Sequence, residues 1–278
     1  MSIRYAGGVN INAQIAADTK TLITDNLKIQ LVLAGWTVAA GASGDWKLDS
    51  VATPSGHRCR VRIKNEVSDN CGITLSNVAE TLNPAQIIWL VPGVGKLLRV
   101  IANRYQFIVF EDGAVTFRDF AFCSNFYTPA FLAPVNNCFL GGNGQSTGDV
   151  TTRSMLRNGL AIHSTAKAWI YNLSVFSAAA GSASIGSFRI QHKHDPLNSA
   201  NVAYRWADDS LQVYDALAAH GMTIDTAEAK IIGQLWDALI CSGDFVDGAV
   251  ITYDGKQFWP IGVSLTGATR GTLFLYAP

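Results

Sequence analysis

The chain has 278 residues, enough for one large core or two modest ones; hydrophobic residues make up 49% and charged residues only 15%. Lys+Arg and Asp+Glu both total 21, so the formal net charge is zero. This balance argues against bulk nucleic-acid binding, which needs a basic footprint, and no run approaches the roughly 18 to 20 apolar residues of a membrane-spanning helix.

Neutrality and a low charge content put a free monomer at risk of self-association. Coverage by partner proteins, as in an assembly subunit, is one reading; a soluble enzyme with a large core is the other. Residues 1–12, which open MSIRYAGGVN, have no apolar segment of the secretory kind and read as a polar arm. From Ala13 to Ala34 the pattern is helical, with Ile15, Leu22, Ile23, Leu27, Leu31 and Ala34 on one apolar stripe and Lys20, Thr24, Asp25 and Lys28 off it. Gly35 stands where a left-handed residue closes a helix, and Trp36 begins a return strand.

After a Gly/Ser break at 41–44, WKLDSVA reads as a short strand, and Pro54-Ser55-Gly56 turns the chain. RCRVRIK alternates cleanly. Cys59, Val61 and Ile63 face one side, and Arg58, Arg60, Arg62 and Lys64 face the other. Four like charges on one strand face repel unless something screens them. They make a solvated or edge-protecting face, or a contact for an acidic neighbouring subunit. A phosphate-binding stripe would need interleaved aromatics, which are missing.

CGITLSN is another strand. A meander from Ile87 to Phe122 follows: IIWLV, LLRVI, YQFIVF and VTFRDFAF, with turns at Pro92-Gly93 and Asp112-Gly113. In YQFIVF both faces are apolar, which predicts a central strand covered on both sides. The stretch 124–142, rich in aromatics with Pro129 and Pro134, reads as a packed irregular loop. Residues 141–154, rich in Gly, Ser and Thr, read as a linker. The organisation expected is an α+β module over 1–142 and a β-rich, β-sandwich-like module over 143–278; the fold class is mainly β with one long N-terminal helix.

In the second half, KAWIYNLSVF and GSFRIQHK are strands. VAYRWADDSLQVYDALAAHG and AKIIGQLWDALICSG suit either a helix or a strand, the latter with a bulge at Gly233. AVITY, Asp254-Gly255, KQFWPIG and TLFLYAP form a hairpin and a final strand. There is no internal repeat and no heptad pattern.

Candidate chemistry is sparse. His192 and His194 would share a strand face and could seat Zn or Fe with further ligands, but no third ligand is placed by spacing; the alternative is a solvated strand end before Pro196. Asp208, Asp209, Asp244 and Asp247 offer carboxylates with nothing to hold a pair at fixed separation. No nucleophile elbow, zincin or P-loop pattern occurs. Tyr127, Tyr204 and Trp206 lie in or near loops and are the candidates for stacking on a glycan; the other aromatics sit in apolar runs and read as core. The five cysteines, Cys59, Cys71, Cys123, Cys138 and Cys241, form no CxxC and read as reduced core residues. No cofactor is implied.

Three places carry a resemblance: the helix closing in Ala34-Gly35-Trp36; RVIANRYQFIVFED over 99–112; and GQLWDAL (233–239) with DGKQFWPIG (254–262) and TLFLY. In these the chain resembles virion structural proteins of tailed bacteriophages, of the tail and baseplate kind. The resemblance implies a non-enzymatic, multi-copy role in the virion, assembled in the host cytoplasm, with copies of the same chain and other virion proteins as partners. A peripheral receptor- or glycan-binding module is the alternative within such a particle. A hydrolase assisted by a metal at His192 and His194 is the alternative from outside it.

Overall fold

The computed structural model describes residues 3–54, 56, 58–76, 88–112, 119–125, 127, 137–142, 161–162, 168–172, 187–191, 213–221, 229–242, 250–261 and 271–278. In chain order they form β1 (Ile11–Ala16), α1 (Lys20–Leu33), β2 (Thr37–Ala42), β3 (Asp45–Asp49), β4 (Arg60–Asn65), β5 (Cys71–Ser76), β6 (Ile88–Leu90), β7 (Leu97–Ala102), β8 (Gln106–Glu111) and β9 (Phe120–Asn125). Then follow β10 (Asn137–Gly142), β11 (Ala161–Ile162), β12 (Ala168–Asn172), β13 (Ser187–Gln191), β14 (Val213–Gly221), β15 (Ala229–Ser242), β16 (Ile251–Tyr253), β17 (Lys256–Ile261) and β18 (Gly271–Tyr276). The fold is mainly β. Its strands form three antiparallel sheets, ordered β2-β3-β4-β5-β6, β1-β7-β8-β9-β10-β12 and β11-β13-β14-β15-β18-β17-β16.

The helix is shorter than the pattern predicts: 14 residues from Lys20, not a span from Ala13. The stretch INAQIA alternates with period two and lies in register on β7, Ile15 opposite Leu98 and Ala13 opposite Val100. Ile15 fits both periods. Thr19 decides between them, because its extended backbone and its Oγ1, which accepts from Leu22 N at 3.2 Å, begin the helix there. Thr24, expected off the buried stripe, is fully buried, and its hydroxyl donates to Lys20 O at 2.7 Å.

The C-terminus of α1 ends as expected. Gly35 N–H donates to Val32 O and Trp36 N–H to Leu31 O, the paired bonds of a Schellman motif. Gly35 has φ +101°, and a Cβ there would stand 3.2 Å from Cβ of Arg104. Gly35→Ala is expected to cost about 1–2 kcal/mol, from left-handed strain and this contact. A urea unfolding midpoint checks it.

The expected meander divides between two sheets. β6 is the last strand of the five-stranded sheet, whereas β7, β8 and β9 pair in sequence in the six-stranded one. The Pro92-Gly93 segment is therefore a crossover. Its tight turn comes at Val94-Gly95, where Lys96 N–H reaches Gly93 O and Gly95 has φ +71°. β8 is central, and Gln106 to Phe110 are all buried, as two apolar faces predict.

One core joins the first two sheets and α1. Leu27, Leu31, Trp36, Leu48, Val61, Ile73, Leu90, Val100, Phe107 and Val109 belong to it. Cys59, Cys71 and Cys123 are free thiols within it, and the sulfurs of Cys59 and Cys123, from different sheets, lie 3.5 Å apart. Burial pushes the Cys71 thiol up to about 12.

β14 and β15, ambiguous in sequence, are strands. Asp254 and Gly255 both have positive φ, 51° and 68°, which is the hairpin turn expected between β16 and β17. The stretch taken as an irregular loop over 124–142 contains β10. The linker expected over 141–154 lies outside the described residues beyond Gly142. The line drawn at 142/143 does not follow the sheets, since β12 pairs with β10 in the six-stranded sheet. Among the described residues no helix is long and apolar enough to cross a membrane.

Candidate interaction surface

Helix α1 is apolar on two opposite faces. Ile23, Leu27 and Leu31 are wholly buried against the sheets. On the other side Leu22, Ile29, Val32 and Leu33 are 41%, 46%, 40% and 55% exposed. Leu22 was expected on the buried stripe; it sits instead on the outward one. A helix that is apolar all round is normally covered all round.

The chain then turns at Gly35 into β2, TVAAGA, an edge strand with no charge and with all six residues exposed. A register shift between Val38 and Ala40 bulges this edge, a device that twists an edge strand away from indiscriminate pairing. The β2–β3 turn is tied to α1 through Asp25. Its carboxylate accepts from Ser43 Oγ at 2.5 Å, Gly44 N at 3.0 Å and Trp46 Nε1 at 2.6 Å. Burial alone would raise the Asp25 pKa. These hydrogen bonds and the nearby Lys28 charge outweigh it and hold the carboxyl below its usual range.

The basic strand face is neutralised within the chain. β4 is the middle strand of its sheet, so its charges do not guard an edge. Arg60 Nε donates to Asp49 Oδ1 at 2.6 Å and its Nη2 to Oδ2 at 2.8 Å. Arg62 makes the same two-pronged contact with Asp45 at 2.7 and 2.5 Å. Asp49 stands directly opposite Arg60 across β3 and β4, and Asp45, opposite Lys64, reaches Arg62 on the diagonal. Lys64 Nζ lies 3.9 Å from Glu66, and Arg58 is exposed. The mutual repulsion expected of four like charges is thus answered by Asp45, Asp49 and Glu66. An acidic neighbour would have to displace those carboxylates to bind Arg60 or Arg62.

The hydrogen bond from Arg62, more than its charge, holds the Asp45 carboxyl below its usual range against the opposing effect of burial. Stability from this pair is complete above the ordinary carboxylate pKa and is lost as pH falls through the depressed one. The pair is partly solvent-exposed, so Asp45→Asn is expected to cost under about 1 kcal/mol. A carboxyl NMR titration of Asp45, set beside the unfolding midpoint at each pH, checks the sign.

Besides the pairing of β12 with β10, a bulge on β15 fastens the second half to the first. Asp215 opposes Leu239 and Leu217 opposes Gln234, so Leu235 to Ala238 bulge away from β14. The bulge carries Trp236 and Asp237 to the N-terminal arm, where Arg4 bridges to Trp236 and Asp237 N–H donates to Arg4 O at 2.7 Å. The Asp237 carboxylate accepts from Ala6 N at 2.9 Å, Asn10 Nδ2 at 2.8 Å and Asn103 Nδ2 at 2.8 Å. Trp236 Nε1 donates to Asn125 O at 2.7 Å, and the indole stacks on Tyr105 with ring centres 4.2 Å apart. The arm is further held by Tyr5, whose hydroxyl donates to Asp254 at 3.1 Å. Burial, then Asp254, pushes that phenol up to about 12.

Tyr127 sits at this joint rather than on a free loop. It is half-buried, bridged to Gln234, edge-on to Trp236, and has the Arg4 guanidinium 4.3 Å from its ring centre. Tyr204, Trp206, His192 and His194 lie outside the described residues. Among the described residues no group of His, Cys, Asp and Glu is placed to hold a metal ion.

Sequence reasoning missed the outward stripe because one apolar face was enough to predict the helix. Ile29, Val32 and Leu33, left over from that face, were the signal. It also missed the acidic partners of the basic strand, although Asp45 and Asp49 share one face of β3, as Arg60 and Arg62 share one face of β4. No protein-family model and no curated protein matches the chain.

Proposed function

We propose that this chain is a non-enzymatic structural subunit of a multi-copy assembly, of the tail or baseplate kind in bacteriophage virions. It works by packing against copies of itself and other virion proteins, without a cofactor. The observation that carries this reading is the outward stripe of α1, together with the uncharged, exposed edge strand β2 that follows it in the chain. Leaving several large aliphatic side chains in water on an ordered helix costs solubility and contributes nothing to the chain's own core. The low charge content and zero net charge act in the same direction. In this reading the α+β N-terminal part presents the contact face, and the rest of the chain forms a β-sandwich-like C-terminal module fastened through Trp236 and Asp237. The glycan-binding alternative draws no support from Tyr127, whose ring already packs on Arg4 and Trp236.

Light scattering on the purified chain across a hundredfold concentration range tests the proposal. Mass above that of one chain is expected, rising with concentration. A chain that stays monomeric throughout, and is absent from particles when these are isolated and their proteins identified, would sink it.

A further inference from the structure

On the outward face of α1, Leu22, Asn26, Ile29 and Leu33 follow one another at spacings of four, three and four. That spacing puts them on a single line along the helix, the seam by which one helix packs lengthwise on another. It covers little more than three turns, too short to register as a heptad pattern in the sequence. Leu22, Ile29 and Leu33 are exposed, and Asn26 is half-buried. The Asn26 amide makes one long contact, Nδ2 to Ala16 O at 3.4 Å. Val32 flanks the line on one side and is also exposed.

We infer that this seam pairs with the same seam of a second copy of the chain, the two helices parallel, with Asn26 facing Asn26. The inference rests on the reading of the surface as an assembly face and names its partner. Charge selects a second copy. The seam holds no ionised group, so a charged partner would bury its own charges unpaired. Two copies bring none together. Asp25, beside the seam, is held by its own Ser43, Gly44 and Trp46, and Lys28 stays over its own Trp46 ring at 4.7 Å. In a parallel pair Asp25 would lie toward the neutral Gln30 of the other copy. Zero net charge removes long-range repulsion between copies.

Asn26 selects the direction. A lone asparagine in an apolar seam is satisfied when it meets its own counterpart, each amide donating to the other's Oδ1. An antiparallel pair would set it against Ile29 and bury it unpaired.

The test uses the full chain with Ile29→Glu, Ile29→Cys and, as a control, Val67→Glu at a fully exposed residue of the β4–β5 turn. Sedimentation equilibrium should show that Ile29→Glu weakens self-association at least tenfold while Val67→Glu does not. Diamide should join Ile29→Cys chains into covalent dimers, and wild type should remain uncrosslinked. Circular dichroism identical to wild type shows that Ile29→Glu folds; should it not, Leu33→Glu takes its place. Undiminished self-association in these variants without a crosslink at position 29 overturns the inference and leaves the multi-copy reading standing. A wild type that is monomeric at every concentration overturns both.

Discussion

Asp237→Ala is expected to destabilise the folded chain by about 3 kcal/mol, read as a lower urea midpoint at unchanged slope. Three donors converge on that carboxylate: Ala6 N, Asn10 Nδ2 and Asn103 Nδ2. They come from the arm, the approach to β1 and the β7–β8 turn. Truncation leaves the Ala6 and Asn103 donors buried and without this acceptor, at about 1–3 kcal/mol each, while half-buried Asn10 keeps Tyr276 O at 3.1 Å; the loss is offset in part because a buried charge is removed as well. Asp237 also has φ 49°, which Asp and Asn tolerate better than Ala. Asp237→Asn keeps the backbone and one acceptor oxygen, so its loss should be smaller.

The same residue sets a pH dependence. Burial pushes the Asp237 carboxyl above its ordinary range, against the hydrogen bonds from Asn10, Ala6 and Asn103 and the charge of Arg104. The folded state therefore holds this proton more tightly than the unfolded one. Its contribution to stability is complete below the ordinary carboxylate pKa and is lost as pH rises through the raised value. Asp25 and Asp45, with depressed pKa values, act in the opposite direction. The measurement is thus the difference between wild type and Asp237→Asn across pH. A difference that does not change with pH would refute the assignment.

Trp36→Ala is expected to cost more, about 4 kcal/mol. Trp36 is 2% exposed, stands edge-on to Phe107 with ring centres 5.6 Å apart, and donates from Nε1 to Asn103 O at 2.9 Å. It is also the residue whose N–H closes α1. Its removal opens a cavity between the helix terminus and the six-stranded sheet and leaves a buried carbonyl without its donor. Trp36→Phe should recover most of the packing and none of the hydrogen bond, so its loss should fall at about half. Near-ultraviolet circular dichroism beside the unfolding curve separates lost packing from lost stability.

Asn103 links the two experiments. Its carbonyl serves Trp36, its amide nitrogen serves Asp237, and its Oδ1 accepts from Tyr105 N and Gln106 N. Asp237 and Trp36 thus share a partner, and the double variant should depart from additivity. Nothing in ANRYQF announces this role, because an asparagine between two strands reads simply as a turn residue.

Local pattern determined a good deal of this protein. Alternation and turn chemistry placed β4, β5, β8 and the β16–β17 hairpin, and the Gly35 stop placed the end of α1. These signals act over a few residues: a period of two or 3.6, a glycine that accepts positive φ, a hydroxyl that caps. Only the tertiary structure decided what meets what. It took Ala13–Ala16 from the expected helix, and Ile11 and Asn12 from the expected arm, because the β7 edge offered hydrogen bonds to a strand. It set Asp45 and Asp49 against the basic face of β4, and it carried Trp236 and Asp237 more than a hundred positions away to Asn103 and Gln106. It also left Leu22, Ile29, Val32 and Leu33 in water. The two apolar faces of α1 are close in composition, and a sequence does not say which of them its own core will cover; that depends on where the sheets come to lie.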